Sequence, residues 1–580
     1  MSTILTALYF SALRERDRVS VKPHASPMYH ALQYIMGNQT QDQLERFRSY
    51  GGVQSYPSRT KDSVDVDFST GSVGLGATIT SFMSLTQDWL LHKGIIPKKV
   101  TKDAPAKMVA LIGDAELDEG NIYEGLVETW KAKTENNIFI VDYNRQSLDK
   151  ISNEGSWKQV DRMFRINGWE VINVKYGKTL QAAFQPSEGG KGLKRFFNAV
   201  PNDVYSSLVF RGGAAFRKEL LSFLDGFDGN KAPPAGYPSQ CYDPVDAHDM
   251  ATTRAWLGRV SDDVLLETMS NLGGHCFESL LEAFSKAMAS PQRTVFICYT
   301  VKGNMLPIAG HRDNHGLFLN APQMAALQQK LGVPAGEEWS PTAGLSPEEE
   351  QALKQLVTAC PFRKGPGKFR DFSAECEVYD IPSSFLEASK KSAPVSTQTA
   401  FGQMLLNIAK SKHAFADRVM TLAPDVATST NLSGFVGVRG VFGQKDVADS
   451  SKKLQVVSAV RWDVSPRGQH VELGIAENNL FLALGAAGLS HSLFAQRVLP
   501  IGTLYDPFIS RGLDGENSNA LLLVSLSPSL PLPLPLPLVA ALNYGCYQDS
   551  RFLLVATPSG ITLSPEGGAH QSIDTPSSSE

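Results

Sequence analysis

Over the first 330 positions, short unbroken apolar runs alternate with stretches of helical period. Residues 107–114 (KMVALIGD), 136–144 (NNIFIVDYN) and the segment from Thr294 (TVFICYTVKG) read as strands buried on both faces. EGNIYEGLVETWKAK, between the first two, reads as a helix. Strand, helix, strand at this spacing is a right-handed parallel unit. From about 333 to 394 the pattern lapses into PAGEEWSPTAGLSPEEE, KGPGKF and IPSS, which predicts a linker holding one helix. Beyond Val395 the alternation resumes. QTAFGQMLLNIAK and IAENNLFLALGAAGL are helical, while RVMTLAPD, HVELG and RFLLVATPSG are strand-like. No repeat at solenoid spacing is present. The prediction is an α/β protein with two doubly wound parallel-sheet domains in tandem, residues 1–332 and 395–580, joined by the linker.

One stretch breaks this pattern. Residues 520–542 are uncharged and long enough for a bilayer. Pro528, Pro531, Pro533, Pro535 and Pro537 lie inside, however, and each removes an amide donor and clashes with the preceding turn. A membrane helix is excluded, and residues 515–540 are expected to be an anomalous insertion. Gly515-Glu516-Asn517 is encodable with a donor-like GTGAG, the Leu-Pro run by pyrimidines, and Val539-Ala540-Ala541 with a CAG boundary. A translated intron fits all three. Its removal joins Asp514 to Ala541 in frame and leaves an ordinary helix followed by a strand.

Composition narrows the class further. The 580 residues carry 55 basic and 59 acidic side chains, a net charge of −4, so no basic excess exists to follow a nucleic-acid backbone. Hydrophobic residues are 42%, enough for sizeable cores. Six cysteines (Cys241, Cys276, Cys298, Cys360, Cys376, Cys546) include no CxxC pair, which favours a reducing, intracellular setting over a disulfide or zinc framework. The N-terminus lacks a basic leader and a cleavage site, so no signal peptide is expected.

The chemistry concentrates at strand ends. Gly113-Asp114-Ala115-Glu116 closes one predicted strand, and Asn144 and Gln146 follow Asp114 by 30 and 32 positions, just past the next. Parallel sheets bind ligands at these edges. A carboxylate oxygen from Asp114, an amide oxygen from Asn144 and a backbone carbonyl near Gln146 suit Mg²⁺, leaving positions for phosphate oxygens and water. Gly113 and the helix start near Glu119 offer amides to a diphosphate. Singly, Asp114 is a helix cap and Asn144 a turn residue; at two neighbouring strand ends they make a candidate site.

GDAELDEGN followed by VDYNRQSLD resembles the thiamine diphosphate motif of the transketolase superfamily. Within it the chain is most similar to the decarboxylating component of homodimeric pyruvate dehydrogenases. The likeness runs from about residue 22 to 572. KPHASP (His24), DFSTGSVGLGAT (Ser72, Gly74), LGGH (His275), VKGNMLPIAGHRDNHG (His311, His315), VELGIAEN (Glu477) and TPSGITLSPEGGAHQS (His570) match family blocks in order. The resemblance implies thiamine diphosphate and Mg²⁺ as cofactors. Asp114, Asn144 and Gln146 are the implied metal ligands, and Ser72, Gly74, Gly113, Asp114, Ala115, Glu116, Asn144, His275 and Glu477 the implied cofactor contacts. Ala115 departs from the family's glycine. Glu477 is implied to bond the aminopyrimidine and promote its imino form, and His24, His315 and His570 to line the reacting centre. His311, four residues before His315, makes no zinc set with it without a third ligand.

Transketolases grip a sugar phosphate with an arginine and a serine that open their second domain. Here Gln398 and Phe401 stand in those places, removing a guanidinium fork and a hydroxyl. The implied activity is therefore oxidative decarboxylation of a small 2-oxo acid, pyruvate or 2-oxobutyrate, with transfer of the acyl group to a lipoyl-bearing acyltransferase partner. The implied assembly is a homodimer. Ketol transfer, and an inactive truncated gene product, remain as alternatives, because the polar ending DTPSSSE stops the second domain short and the family's third domain is missing.

Overall fold

The structure, a computed structural model, describes residues 1–71, 73–96, 105–152, 156–226, 245–385, 394–458, 461–512, 540–558 and 560–570. Five strands build the first sheet: β1 (Arg18–Ser20), β2 (Met108–Gly113), β3 (Asn137–Tyr143), β4 (Glu170–Val174) and β5 (Thr294–Tyr299). Their order is β1-β2-β3-β5-β4, and every pair is parallel. The unbroken apolar runs have a direct cause. Ala110, Ile112, Phe139, Val141, Val295 and Ile297 feed one core, and the alternate residues Val109, Leu111, Ile138, Ile140, Phe296 and Cys298 feed another. With helices over both faces, no strand position is free to be polar.

The second sheet comprises β6 (Val419–Ala423), β7 (Val441–Phe442), β8 (Val464–Ser465), β9 (His470–Glu472), β10 (Leu499–Leu504) and β11 (Leu553–Ala556). It is ordered β11-β10-β6-β9-β7-β8, again with parallel neighbours. The chain is thus α/β with two parallel sheets, as the hydrophobic pattern predicts. β1, β4, β7, β8 and β10 go beyond that pattern. β1 carries Arg18, whose guanidinium is buried on Asp67, and β10 contains Pro500 and Gly502, so neither reads as an apolar run.

Six helices position the site: α1 (Leu75–His92), α2 (Gly120–Ala132), α3 (Pro347–Ala359), α4 (Thr397–Lys410), α5 (Glu477–Gly488) and α6 (Ala540–Tyr547). Every side chain of α5 except that of Asn478 is buried. A helix apolar all round must be covered all round, and α1, α2, α6 and β10 cover it. Its small residues let neighbours approach closely. A Cβ on Gly488 would lie 2.7 Å from the backbone nitrogen of Arg551. Ile79 and Phe82 of α1 share one core with Leu480 and Leu484 of α5, so the two sheets are joined through apolar packing. Each such side chain contributes about 1.5–3 kcal/mol by burial.

The predicted linker holds α3 and then folds back over both sheets. Cys360 and Phe362 enter the first domain's core, and Phe372 donates its amide to the Ser492 carbonyl at 2.8 Å. Arg370 is buried on Asp67 (2.9 Å) and Asp65 (3.4 Å). Residues 515–539 of the predicted insertion lie outside the described residues, as do Ser72 and residues 571–580. α6, which begins at Ala540, the last residue of that predicted insertion, and β11 form a helix followed by a strand. No helix among the described residues is long and apolar enough to cross a membrane.

Candidate functional site

The carboxyl ends of β1, β2, β3 and β5 converge on one edge of the first sheet. β2 and β3 are hydrogen-bonded neighbours with Gly113 opposite Asp142, so Asp114 and Asn144 emerge side by side. Asp114 Oδ2 accepts the amide of Arg145 at 2.6 Å, and its Oδ1 accepts that of Ala115 at 3.1 Å. Asn144 Oδ1 accepts the amide of Gln146 at 2.9 Å. Each of these hydrogen-bonded oxygens retains a second lone pair. Burial pushes the Asp114 carboxyl up to about 6 despite Lys22, with the Asp142 carboxylate adding to the rise. The Gln146 side-chain NH₂ is committed elsewhere, donating to the carbonyls of His311 (3.2 Å) and Arg312 (2.6 Å). No cluster of three or more His, Cys, Asp or Glu with metal-binding geometry occurs among the described residues, so any metal here rests on a mixed oxygen set.

Glycines shape the edge beside this pair. Gly74 caps α1 with φ +72°, and a Cβ there would meet Asn121 Oδ1 and Glu119 Cβ at 2.9 Å. Glu116 reaches back to the Gly113 amide at 2.7 Å and also accepts the Gly74 amide, tying the two loops together. Ala115 is exposed, so its methyl group points away from the core.

Three charged residues that sequence reasoning passed over complete the edge. Lys22 follows β1 and pairs with Asp142 Oδ2 at 2.5 Å, both buried. Burial opposes the Lys22 charge, but Asp142 outweighs it and holds the ammonium above its ordinary range. Lys302, past β5, bonds the Ser147 carbonyl at 3.3 Å and His315 Nδ1 at 3.0 Å. Burial and Lys22 lower it to about 8. Each sits inside a motif already singled out (KPHASP, VDYN, VKGN), and a charge placed close to a buried strand end was the available signal.

The structure brings some predicted histidines together and separates others. The rings of His24 and His315 are edge-to-face at 5.1 Å. Partial desolvation first, then the Lys22 cation and the neighbouring His315 and Lys302, push His24 down to about 4. His275 is half-buried in a supporting role. Its Nε2 accepts the Val301 amide at 2.8 Å, and burial pushes it down to about 3. His311 packs on Phe210 (4.7 Å). His570 belongs to the second domain, where it packs on Phe508 (5.2 Å) and Tyr505 (6.0 Å).

Glu477 opens α5 and is buried, 4% exposed, in the layer where α5 meets α1 and α2. Its neighbour Asn479 donates to the Glu124 carbonyl of α2 at 3.1 Å. At the start of α4, Gln398 donates to the Ser429 carbonyl and accepts from Thr557 Oγ1 at 3.1 Å, so its side chain braces the second domain. Phe401 packs partly buried against that domain's core.

Residues 10–189 match the family described as transketolase, thiamine diphosphate binding domain. Over that stretch, under a third of its length, the chain is similar to that family. It is similar to the pyruvate dehydrogenase E1 component of Cupriavidus necator, at 24% identity over 518 residues, 85% of this chain and 52% of that one. The E1 component of Haemophilus influenzae is 25% identical over 529 residues, covering 86% and 54%. The chain therefore spans about half the length of these curated relatives. Among solved structures, transketolase from Leishmania mexicana superposes with a TM-score of 0.59 at 15% identity, over 99% of this chain and 66% of that one. Transketolase from Campylobacter jejuni gives 0.55 at 14%, over 99% and 67%. These structures establish a shared fold.

Proposed function

We propose that this protein is a thiamine diphosphate- and Mg²⁺-dependent decarboxylase of a small 2-oxo acid, passing the acyl group to the lipoyl arm of an acyltransferase partner. The carrying observation is the pairing of Asp114 and Asn144 at adjacent strand ends, beside a cluster of Lys302, His24 and His315. The residues fit the cofactor. Two hard oxygen donors with free lone pairs suit Mg²⁺, a single carboxylate leaves the charge balance to the diphosphate, and Gly74 and Gly113 let their loops pack close to Glu119 and Lys22 beside it.

In this reading residues 1–332 hold the diphosphate and metal, and 395–580 hold the pyrimidine. Asp114, Asn144 and the Gln146 carbonyl bind Mg²⁺, with Gly113, Ala115 and Glu116 alongside the diphosphate. Bound thiamine diphosphate supplies the carbon nucleophile and electron sink for decarboxylation. The Glu477 carboxyl, buried at the start of α5, would hold the aminopyrimidine ring by a hydrogen bond and could carry a proton there. Lys302 attracts the substrate carboxylate. His24 and His315, neutral at pH 7, accept or return a proton at the reacting carbonyl oxygen, with His570 contributed by a second domain.

Two further observations support the reading. Gln398 is spent on bracing Ser429 and Thr557, so no guanidinium grips a phosphate at this position, which favours a 2-oxo acid over a ketose phosphate. Tyr123, Val127 and Trp130 of α2 share one helix face and are 46%, 48% and 55% exposed, with Ile475 79% exposed near the same helix. A second copy of the chain burying this face gives a homodimer. The test is carbon dioxide release from pyruvate with an artificial electron acceptor, beside transfer from a ketose phosphate. The parent should prefer pyruvate, and Asp114→Ala should lose at least about tenfold in thiamine diphosphate affinity. Preference for the sugar phosphate, or unchanged affinity in the variant, contradicts the reading.

A further inference from the structure

Asp142 lies near the end of β3, two residues before the proposed metal ligand Asn144. Its carboxylate is buried and accepts three hydrogen bonds. Lys22 Nζ lies at 2.5 Å and Thr300 Oγ1 at 2.5 Å, while Asn144 Nδ2 donates to the same oxygen as Lys22 at 3.2 Å. The other end of the Asn144 amide accepts the Gln146 amide at 2.9 Å. An asparagine amide has two ends of nearly equal size, and only the oxygen end binds a cation. Turning this amide over would set its oxygen against the Asp142 carboxylate and its NH₂ against the Gln146 N–H. Both hydrogen bonds would become repulsions.

We propose that Asp142 is a positioning residue of the cofactor site: it fixes the Asn144 amide with its oxygen toward the metal, and Lys22 and Thr300 hold Asp142 in place for that task. The inference rests on the reading that Asp114 and Asn144 bind Mg²⁺, and it adds to that reading why this amide presents oxygen. Partners that orient metal ligands in this way are worth about 10–100-fold in metal affinity. Lys22 and Thr300 come from the ends of β1 and β5, so three strands converge to set one side-chain torsion.

The experiment is calorimetric titration of Mg²⁺ into the full chain saturated with thiamine diphosphate. The double variant Lys22→Met/Asp142→Val removes both members of the ion pair, so that no buried charge is left uncompensated. It should lose about tenfold or more in Mg²⁺ affinity. Asp142→Asn keeps an acceptor for Asn144 and offers its NH₂ to Thr300, and Lys22, deprived of its counter-charge, gives up its proton rather than stay charged in the core, so the variant should stay within about threefold of the parent. Asn144→Asp is isosteric and a more anionic ligand, yet it faces the Asp142 carboxylate, and it should bind Mg²⁺ about tenfold more weakly. Asn144→Asp binding more tightly than the parent overturns the proposal. So does a folded double variant that binds as the parent does, or Asp142→Asn losing as much as the double variant. Should the double variant not fold, Asn144→Asp and Asp142→Asn still decide. A parent that binds no Mg²⁺ overturns the metal-site reading and this proposal together; a parent that binds while all variants match it overturns this proposal alone.

Discussion

Asp88 offers a direct measurement of how the two domains are joined. It lies on α1 of the first domain, buried, and its Oδ2 accepts Gln444 Nε2 of the second at 2.8 Å. Burial, with Glu135 nearby, pushes its carboxyl from 3.8 up to about 7, although the Gln444 hydrogen bond opposes the rise. The folded value exceeds the unfolded one. The contribution is therefore fully present below about pH 4 and is lost as pH rises through about 7. A tenfold change in proton affinity is worth about 1.4 kcal/mol, so raising the pH from about 5 to 7 costs the parent about 2–3 kcal/mol. Asp88→Asn keeps an acceptor for Gln444 and has no proton to lose. Urea unfolding followed by tryptophan fluorescence at about pH 5, 6, 7 and 8 tests this. Trp89, on the same helix, bonds the Gly468 carbonyl across the domains and reports their separation. The stability of the variant relative to the parent should grow by about 2–3 kcal/mol from about pH 5 to 8. Curves that run parallel would show that Asp88 ionises freely and refute the burial argument.

Further outcomes follow from other residues. Glu477→Gln should leave thiamine diphosphate affinity within about threefold while slowing deuterium exchange at the thiazolium carbon, since an amide cannot share a proton as a carboxyl does; equal exchange rates would remove Glu477 from its proposed role. Gly74→Ala forces a left-handed backbone on alanine and crowds Asn121 and Glu119 at 2.9 Å, which should cost about 2–4 kcal/mol in urea unfolding; a stability equal to the parent's would contradict that geometry. Trp130→Glu places a charge on the exposed face of α2 and should shift sedimentation from dimer to monomer, whereas a chain already monomeric before the change would argue against the homodimer. Deleting residues 515–540 should leave far-ultraviolet circular dichroism and melting intact or improved. An unfolded product would show that this segment belongs to the domain.

The fold was legible because its strands are covered on both faces. That burial forces runs such as VALI and IFIV to be apolar at every position, and the helices between them then require parallel pairing. β1 and β10 were hidden for the opposite reason. Arg18 is compensated by Asp67, a partner 49 residues away, and no local pattern reports a distant counter-charge. The stretch 333–394 reads as a linker for the same reason, since Arg370 is satisfied by Asp65 and Asp67, 305 and 303 positions earlier.

The candidate site divides along the same line. Asp114, Asn144 and Glu477 stand in ordered motifs, so residue type and spacing alone made them candidates, and the order of those motifs by itself carried the resemblance to the superfamily. Which end of Asn144 faces the proposed metal position is another matter. Pairing β2 with β3 sets Asp142 beside Gly113, β1 delivers Lys22 to Asp142, and β5 delivers Thr300. The pairing of His24 with His315, the withdrawal of His275 to the Val301 amide and the placing of His570 against Phe508 were likewise settled by tertiary structure. Hydrogen bonds and ion pairs act over about 3 Å in space irrespective of separation along the chain, so only the assembled strand ends decide which polar groups meet.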